Sequence, residues 1–399
     1  MVNVKYYSRD FSEILLSVLF YVIGSIVIGL VLSGSTSLLR VFPAIIVIIP
    51  ASNGIRGNIY APLGSRLNTL LHLGLIEPSL KYSKYLAENI FSVIVLVIVA
   101  NMYLSILGSL ASLLIGYGFP ILEFISVTFT TSLITLPILT LVTITISITT
   151  FRFGLDPDNF STPLVTLVSD VVTLPTLLMV LSLVSSLSRV HLILISLATV
   201  IVACISILKL TLHRVKHEIS IKIVRENLPP CLLSCIVQIL PGMGLGIVLS
   251  RLLEYPSILF LIPPFIGSIG ALIGIVSSKF STALHLGEIE PKFRIEGKTL
   301  NLIITAFTTG FIIFSTLFII DVIVSTVIHL EMPSIPLLFI LITLAGFITL
   351  SISLILSYYT SVITFTKGVD PDNVVIPLLT SIIDLLGVIV LSILTILIV

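Results

Sequence analysis

One motif occurs twice in this 399-residue chain, about half the chain apart and with its acids in register. Residues 154–170 read GLDPDNFSTPLVTLVSD and residues 368–384 read GVDPDNVVIPLLTSIID, identical at nine of 17 positions. A second pair, GSRLNTLLHLGLIEP at 64–78 and SSKFSTALHLGEIEP at 277–291, is identical at nine of 15. The offsets are 213 residues for the second pair and 214 for the first, so two copies run collinear with a one-residue slip. A duplication of this kind implies two related halves, each placing its acids as the other does.

The halves are read as membrane-embedded. With 57% hydrophobic and 10% charged residues, the chain has repeated apolar runs long enough to cross a bilayer, which takes roughly 20 residues. Turn residues and charges bound eleven expected spans, near 13–37, 41–62, 86–115, 119–149, 160–187, 190–210, 228–250, 256–276, 300–328, 335–364 and 374–399. The expected class is therefore an all-α integral membrane protein. The first span has no small-residue cleavage site ahead of it and reads as retained rather than as a removed signal peptide.

Basic residues set the orientation. With the N-terminus cytoplasmic, sixteen Lys and Arg fall inside, among them Lys5, Arg66, Lys84, Arg152, Arg214, Lys279 and Lys367; only Arg40, Arg189 and Arg251 fall outside, and Arg56 lies within the second span. That bias predicts an inside N-terminus and an outside C-terminus. Each copy holds five spans, an odd number, so the extra span near 190–210 restores the orientation of the second copy. The expected organisation is a first five-span repeat at 1–187, a linking span and cytoplasmic loop at 188–227, and a second repeat at 228–399. The two are parallel repeats about an axis along the membrane normal. One chain of this form mimics a dimer and is expected to work as a monomer.

The acids carry the functional expectation. Each motif copy puts an Asp-Pro-Asp cluster ahead of an apolar helix and then one carboxylate inside it, Asp170 or Asp384. A carboxylate in hydrocarbon is costly, and two at matching positions point to an ion site on the pseudo-two-fold axis. Thr166 and Pro163 share a helix face with Asp170, as Thr380 and Pro377 do with Asp384. Facing carboxylates repel unless a cation lies between them. Mg²⁺ suits such a site because it keeps its waters and is held by one or two carboxylates, whereas softer metals favour His or Cys ligands, which these helices lack. Asp156, Asp158, Asp370 and Asp372 lie at the cytoplasmic mouth, where they serve either as helix caps or as a second metal site.

Other features have plainer readings. A net charge of +1 offers no face for a polyanion and argues against a nucleic-acid partner. Cys204, Cys231 and Cys235 read as packing residues. His72 and His285 read as packing or solvated groups beside the Glu77-Pro78 and Glu290-Pro291 loops. Glu123 and Asp321, near outer span ends, are either entrance charges or solvated ones. Gly242-Met243-Gly244-Leu245-Gly246 looks like a nucleotide loop but sits in an apolar span with no strand before it, so it reads as a site of close helix packing.

At these residues the chain resembles the MgtE-type magnesium channels and, in having two copies, solute carrier family 41. The resemblance rests on Pro43-Ala44, then Gly57-Asn58 and Arg66, then Asp156-Pro157-Asp158 and Pro163, Thr166 and Asp170. It implies that Asp170 and Asp384 are central pore aspartates holding a hydrated Mg²⁺ ion, the transported species, and that Thr166 and Thr380 match backbone oxygens one turn away. Asn58, Pro163 and Pro377 become pore-lining candidates. The second copy departs at Gly270-Ala271, against Gly57-Asn58, and at Ile269, against Arg56. The chain outside the spans has no room for the cytoplasmic regulatory domains of bacterial MgtE. The resemblance implies Mg²⁺ transport in the plasma membrane, with Na⁺-coupled exchange as the alternative. A prenyltransferase is disfavoured, because it needs clustered DxxxD-type carboxylates and basic residues to grip diphosphate.

Overall fold

The computed structural model describes residues 4–79, 81–153, 157–212, 217–292, 294–295, 297–367 and 371–399, with the backbone alone at 4–10, 12–13, 157–163, 211–212, 371–378 and 380. The described residues form helices joined by short loops. In chain order they are α1 (Val4–Gly34), α2 (Thr36–Val41), a 3-10 turn (Pro43–Val47), α3 (Ile49–His72), α4 (Lys84–Leu114), α5 (Ile121–Arg152) and α6 (Pro157–Val184). There follow α7 (Arg189–Leu212), α8 (Glu218–Ile247), α9 (Leu249–Glu254), α10 (Pro256–His285), α11 (Lys298–Val327), α12 (Ile335–Thr366) and α13 (Pro371–Ile398). All but α2 and α9 are long, which gives eleven long helices for the eleven expected spans.

Helices are what a bilayer permits, because each backbone donor and acceptor must be satisfied within its own segment. The many Ser and Thr residues obey the same rule. Thr143, Thr305 and Thr395 donate to carbonyls one turn back, Leu139, Asn301 and Leu391, at 2.7–2.8 Å, so their hydroxyls can sit in apolar surroundings. Ten of the long helices are long and apolar enough to cross a membrane. The eleventh, α3, carries Asn53, Arg56, Asn58, Arg66 and Asn68, and its polarity marks it out from the others.

Several boundaries differ from the sequence expectation: α1 starts at Val4 rather than near 13, and α3 and α10 run on to His72 and His285 rather than ending near 62 and 276. The segment expected as one span at 41–62 breaks into a 3-10 turn and α3, with prolines at the start of both. Pro43 opens that turn, and its repeat equivalent Pro256 opens α10. Helix α8 begins at Glu218 rather than near 228, and Pro229 and Pro230 lie inside it. A carboxylate accounts for the early start. Glu88 of α4 accepts from the Ser220 backbone N–H at 3.2 Å and pairs with His217 at 3.0 Å, satisfying a donor of the first turn that the helix itself cannot. Ser220 Oγ also donates to the Glu88 carbonyl at 2.9 Å, and the His217 ring lies 4.8 Å from that of Phe91.

The helices gather into two compact units. One contains residues 1–36 and 247–399: α1 with α9–α13. Here α10 is central, touching α1, α11, α12 and α13. The other contains residues 37–246: the 3-10 turn with α2–α8. Here α3 touches α4, α5 and α6, and α7 lies on α4 and α5. The unit boundaries thus cut across the sequence repeat. In each unit, four long helices of one copy are completed by the first helix of the other copy.

The exchanged helices dock in the same way. In the first unit, a Cβ on Gly29 of α1 would lie 2.3 Å from the Phe260 carbonyl oxygen. In the second, a Cβ on Gly242 of α8 would lie 1.9 Å from the Val47 carbonyl oxygen. Both pairs stand 213 residues apart, Gly29 with Gly242 and Val47 with Phe260. Glycine is required where a helix lies directly on backbone, so the glycines of α8 serve close packing, as expected from sequence. Gly242→Ala and Gly29→Ala are each expected to destabilise the fold by about 1–3 kcal/mol through overpacking. Gly270→Ala, whose Cβ would meet nothing within 4 Å, is the control and should change stability by less than about 1 kcal/mol. Apparent melting temperatures of the purified protein in detergent separate these cases.

Candidate cation-binding residues

Helices α6 and α13 are both 28 residues long. Asp170 lies thirteen residues after Pro157, and Asp384 thirteen after Pro371. Each carboxylate is therefore at the middle of its helix, roughly 20 Å from the start at about 1.5 Å per residue. Both are half-buried. Asp170 and Thr166, one turn apart on α6, are each engaged by partners within the protein. Helix α6 packs against α3 and α5, and α13 against α10 and α12.

Helix α3 faces α6 at Gly57 without a close backbone approach. A Cβ on Gly57 would meet only the Thr166 methyl, at 3.6 Å. In the other unit a Cβ on Gly387 of α13 would lie 3.3 Å from Ile266 of α10. By the repeat offsets, Ile266 and Gly387 correspond to Asn53 and Thr173. If α3 and α6 pack as α10 and α13 do, Asn53 comes opposite Thr173; with Gly57 against Thr166, numbers on α3 then fall as those on α6 rise, the order of two antiparallel helices. Asp170 then sits between the levels of Gly57 and Asn53.

Of the remaining expected residues, Asp156 and Asp370 lie outside the described residues. Asp158 and Asp372 fall in the first turn of α6 and α13, but their side chains, like those of Pro163, Pro377 and Thr380, lie outside the described residues. Asn58 faces α8, donating from Nδ2 to Ser234 Oγ at 2.6 Å. His72 and His285 play matching parts, each meeting a phenyl ring edge-on at 5.1 Å, Phe151 and Phe365. Glu290 pairs with Lys292 at 2.7 Å on the surface. That hydrogen bond to the ammonium holds the Glu290 carboxyl below its ordinary range, and such an exposed pair contributes little to stability. Asp321 is not a solvated charge: it is fully buried, with Oδ1 accepting from Ser325 Oγ at 3.1 Å. Cys231 and Cys235 are buried free thiols, whereas Cys204 is exposed.

Two features escaped the sequence reading. The first is a buried polar knot in which the fully buried Arg56 guanidinium donates to Ser132 Oγ at 2.8 Å. The Asn101 amide donates to the same oxygen, and Ser132 Oγ donates to the Thr128 carbonyl at 2.6 Å. The second is found among the buried side-chain oxygens without partners, which are numerous along the helices: Asn53 Oδ1 on α3, and Ser169 Oγ and Thr173 Oγ1 on α6, lie on the two helices that flank Asp170. They lie among other polar residues, Asn53 beside Ser52 and Arg56 on α3 and Ser169 and Thr173 on either side of Asp170 on α6, so no single residue stood out in the sequence. Among the described residues no three acids, histidines or cysteines converge. The described groups suited to a cation are therefore single carboxylates with hydroxyl and amide oxygens near them, the donor set of a hard ion that keeps its waters.

The family model for MgtE, described as a divalent cation transporter, matches residues 49–180 and 262–394, once in each copy. Each match contains one of the two mid-helix aspartates. Among curated proteins, Solute carrier family 41 member 3 from Mus musculus is 28% identical over 370 residues, covering 85% of this chain and 72% of that protein. The member 3 protein of Rattus norvegicus is 27% identical over 368 residues, 86% of this chain and 77% of its own length. Solute carrier family 41 member 2 from Homo sapiens is 24% identical over 371 residues, 86% of this chain and 62% of that protein. No solved structure matches the chain.

Proposed function

We propose, from the premise that this chain belongs to the MgtE family of divalent cation transporters, that the ion it moves is Mg²⁺ and that Asp170 and Asp384 hold it. The observation that carries this reading is the position of one carboxylate at the middle of each of two matching 28-residue helices. A carboxylate at that depth is retained for an ion path or a proton, since it lowers the stability of the helix in lipid. The ion passes with waters attached, held by charge and by hydrogen bonds from those waters, with Thr166 and Thr380 beside the aspartates. Neither α6 nor α13 offers a His or Cys ligand that would favour a softer metal.

A single chain suffices in this scheme, because both carboxylates belong to it. The N-terminus faces the cytoplasm of a cell membrane and the C-terminus faces outside, following the distribution of Lys and Arg. The membrane potential drives uptake without a second ion, and Asp156, Asp158, Asp370 and Asp372 form the cytoplasmic mouth. The test is ion flux into liposomes that contain the purified protein, under an inside-negative potential. Mg²⁺ should enter at the same rate with and without a Na⁺ gradient, and faster than Ca²⁺. Flux that requires the Na⁺ gradient would replace uptake with exchange, and Ca²⁺ entering as fast as Mg²⁺ would overturn the choice of ion.

A further inference from the structure

We infer that Asn53 and Thr173 form, with Asp170, a one-sided binding site for the waters carried by the divalent cation. This inference rests on the reading of Asp170 given above. Asn53 Oδ1 and Thr173 Oγ1 are buried oxygens without hydrogen-bond partners, and Thr173 is fully buried. Other buried hydroxyls along the helices also lack partners; this pair is singled out by its place on the two helices that flank Asp170, where a ligand held by the carboxylate would supply the missing partner. The antiparallel register of α3 and α6 puts Asn53 at the level of Thr173, one turn of α6 beyond Asp170.

The missing partner of Asn53 Oδ1 is a donor, because an amide oxygen only accepts, and Thr173 Oγ1 can accept from the same ligand. Bulk water does not reach these atoms, so the donor must arrive with the ligand. Water bound to a divalent cation fits this need: its hydrogens point away from the metal, and its charge makes them strong donors. Asp170 supplies the countercharge. Gly57 leaves the space beside it open, since a Cβ there would meet only the Thr166 methyl.

The second copy lacks this chemistry. Ile266 stands for Asn53, Gly387 for Thr173 and Ile383 for Ser169, and Ile266 packs on Gly387. Asp384 therefore contributes charge without matching acceptors. The cation's waters are recognised from the first copy's α3 and α6, and the transport site is chemically asymmetric despite the repeat.

The test uses purified full-length protein in liposomes, with Mg²⁺ flux and its block by hexaamminecobalt(III) as readouts. This probe cannot shed its ligands, and its N–H groups donate as bound waters do. Asn53→Leu and Thr173→Val are each expected to raise the half-saturating Mg²⁺ concentration and the half-blocking probe concentration by about fivefold to tenfold, the worth of one hydrogen bond. Thr173→Ser should stay within about twofold of the parent, because it keeps the hydroxyl. Ile266→Leu, the matching change in the second copy, should move neither value. Should Asn53→Leu fail to fold, Thr173→Val and Thr173→Ser decide the matter. Unchanged half-saturation and unchanged block in Thr173→Val, with flux through Asp170→Asn still strongly reduced, would overturn this inference and leave the aspartate reading standing. Normal flux in Asp170→Asn would overturn the aspartate reading itself.

Discussion

Asp170→Asn is expected to cut Mg²⁺ flux at sub-saturating concentration by about tenfold to several-hundredfold. Asparagine keeps the size of the side chain and an accepting oxygen, so the change isolates the charge. One unit charge about 4 Å from another contributes about 1 kcal/mol in water and about 4 kcal/mol where the effective dielectric is near 20. A divalent ion doubles these figures, to about 2 and about 8 kcal/mol, and an ion that keeps its waters lies toward the lower of them, which fixes the expected range. Asp384→Asn should also reduce flux, but by less, because the second copy brings no equivalents of Asn53 and Thr173 to the site. Both single variants should insert and melt at least as high as the parent, since the loss of a half-buried carboxylate removes a desolvation penalty. Concentration dependence of flux, measured beside melting in detergent, separates an effect on the ion from one on the fold. Equal losses in the two single variants would argue for a symmetric site.

Ser132→Ala should have the largest effect on stability. Its hydroxyl oxygen accepts from both Arg56 and Asn101, and two other guanidinium nitrogens of Arg56, Nε and Nη1, already lack partners. Removing the acceptor takes from a fully buried cation the hydrogen bond it makes to Ser132 and strands the Asn101 amide. The cost is about 2–5 kcal/mol, which in a domain of this size lowers the melting temperature by roughly 5–20 °C. The second copy supplies the rescue. It carries Ile269 where the first has Arg56 and Gly346 where the first has Ser132, and Phe314 packs against Gly346 there. Arg56→Ile added to Ser132→Ala should therefore recover most of the lost melting temperature, because the charge that needed the acceptor is gone. A double variant no more stable than Ser132→Ala would mean that Arg56 stabilises the fold by other contacts.

Much of this architecture was legible in the sequence because hydrocarbon leaves few choices. Long apolar runs bounded by charges became helices whose ends agree closely with expectation at α7, α11, α12 and α13, and the repeat placed Asp170 and Asp384 at equal depth. The span expected near 41–62 became α3, whose Asn and Arg residues keep it out of the ten helices apolar enough to cross a membrane. What failed to show was anything decided by neighbours distant in the chain. The exchange of α1 and α8 rests on Gly29 meeting the Phe260 backbone and Gly242 meeting that of Val47. An apolar first helix reads the same whichever copy receives it. The early start of α8 depends on Glu88, some 130 residues away, and the prolines at 229 and 230 masked it. Asp321 read as a charge near a span end, yet its neighbours bury it completely.

The candidate site was legible only as far as the duplication reached. Comparing the copies finds what both keep, the two aspartates, and discards what one alone carries. Asn53, Thr173 and the knot of Arg56, Ser132 and Asn101 belong to the discarded class, because the second copy has Ile266, Gly387, Ile269, Gly346 and Ser315 in their places. Their roles follow from unpaired or shared hydrogen bonds, which exist only once helices have been packed together.

The measurement that bears most directly on the central claim is Mg²⁺ entry into liposomes holding equal amounts of folded parent protein or of the variant combining Asp170→Asn with Asp384→Asn. No organic substrate is present, and the inside is held negative. The account predicts rapid, saturable entry with the parent and entry at the rate of protein-free liposomes with the variant. Equal entry with parent and variant would place the ion path away from both aspartates and contradict it.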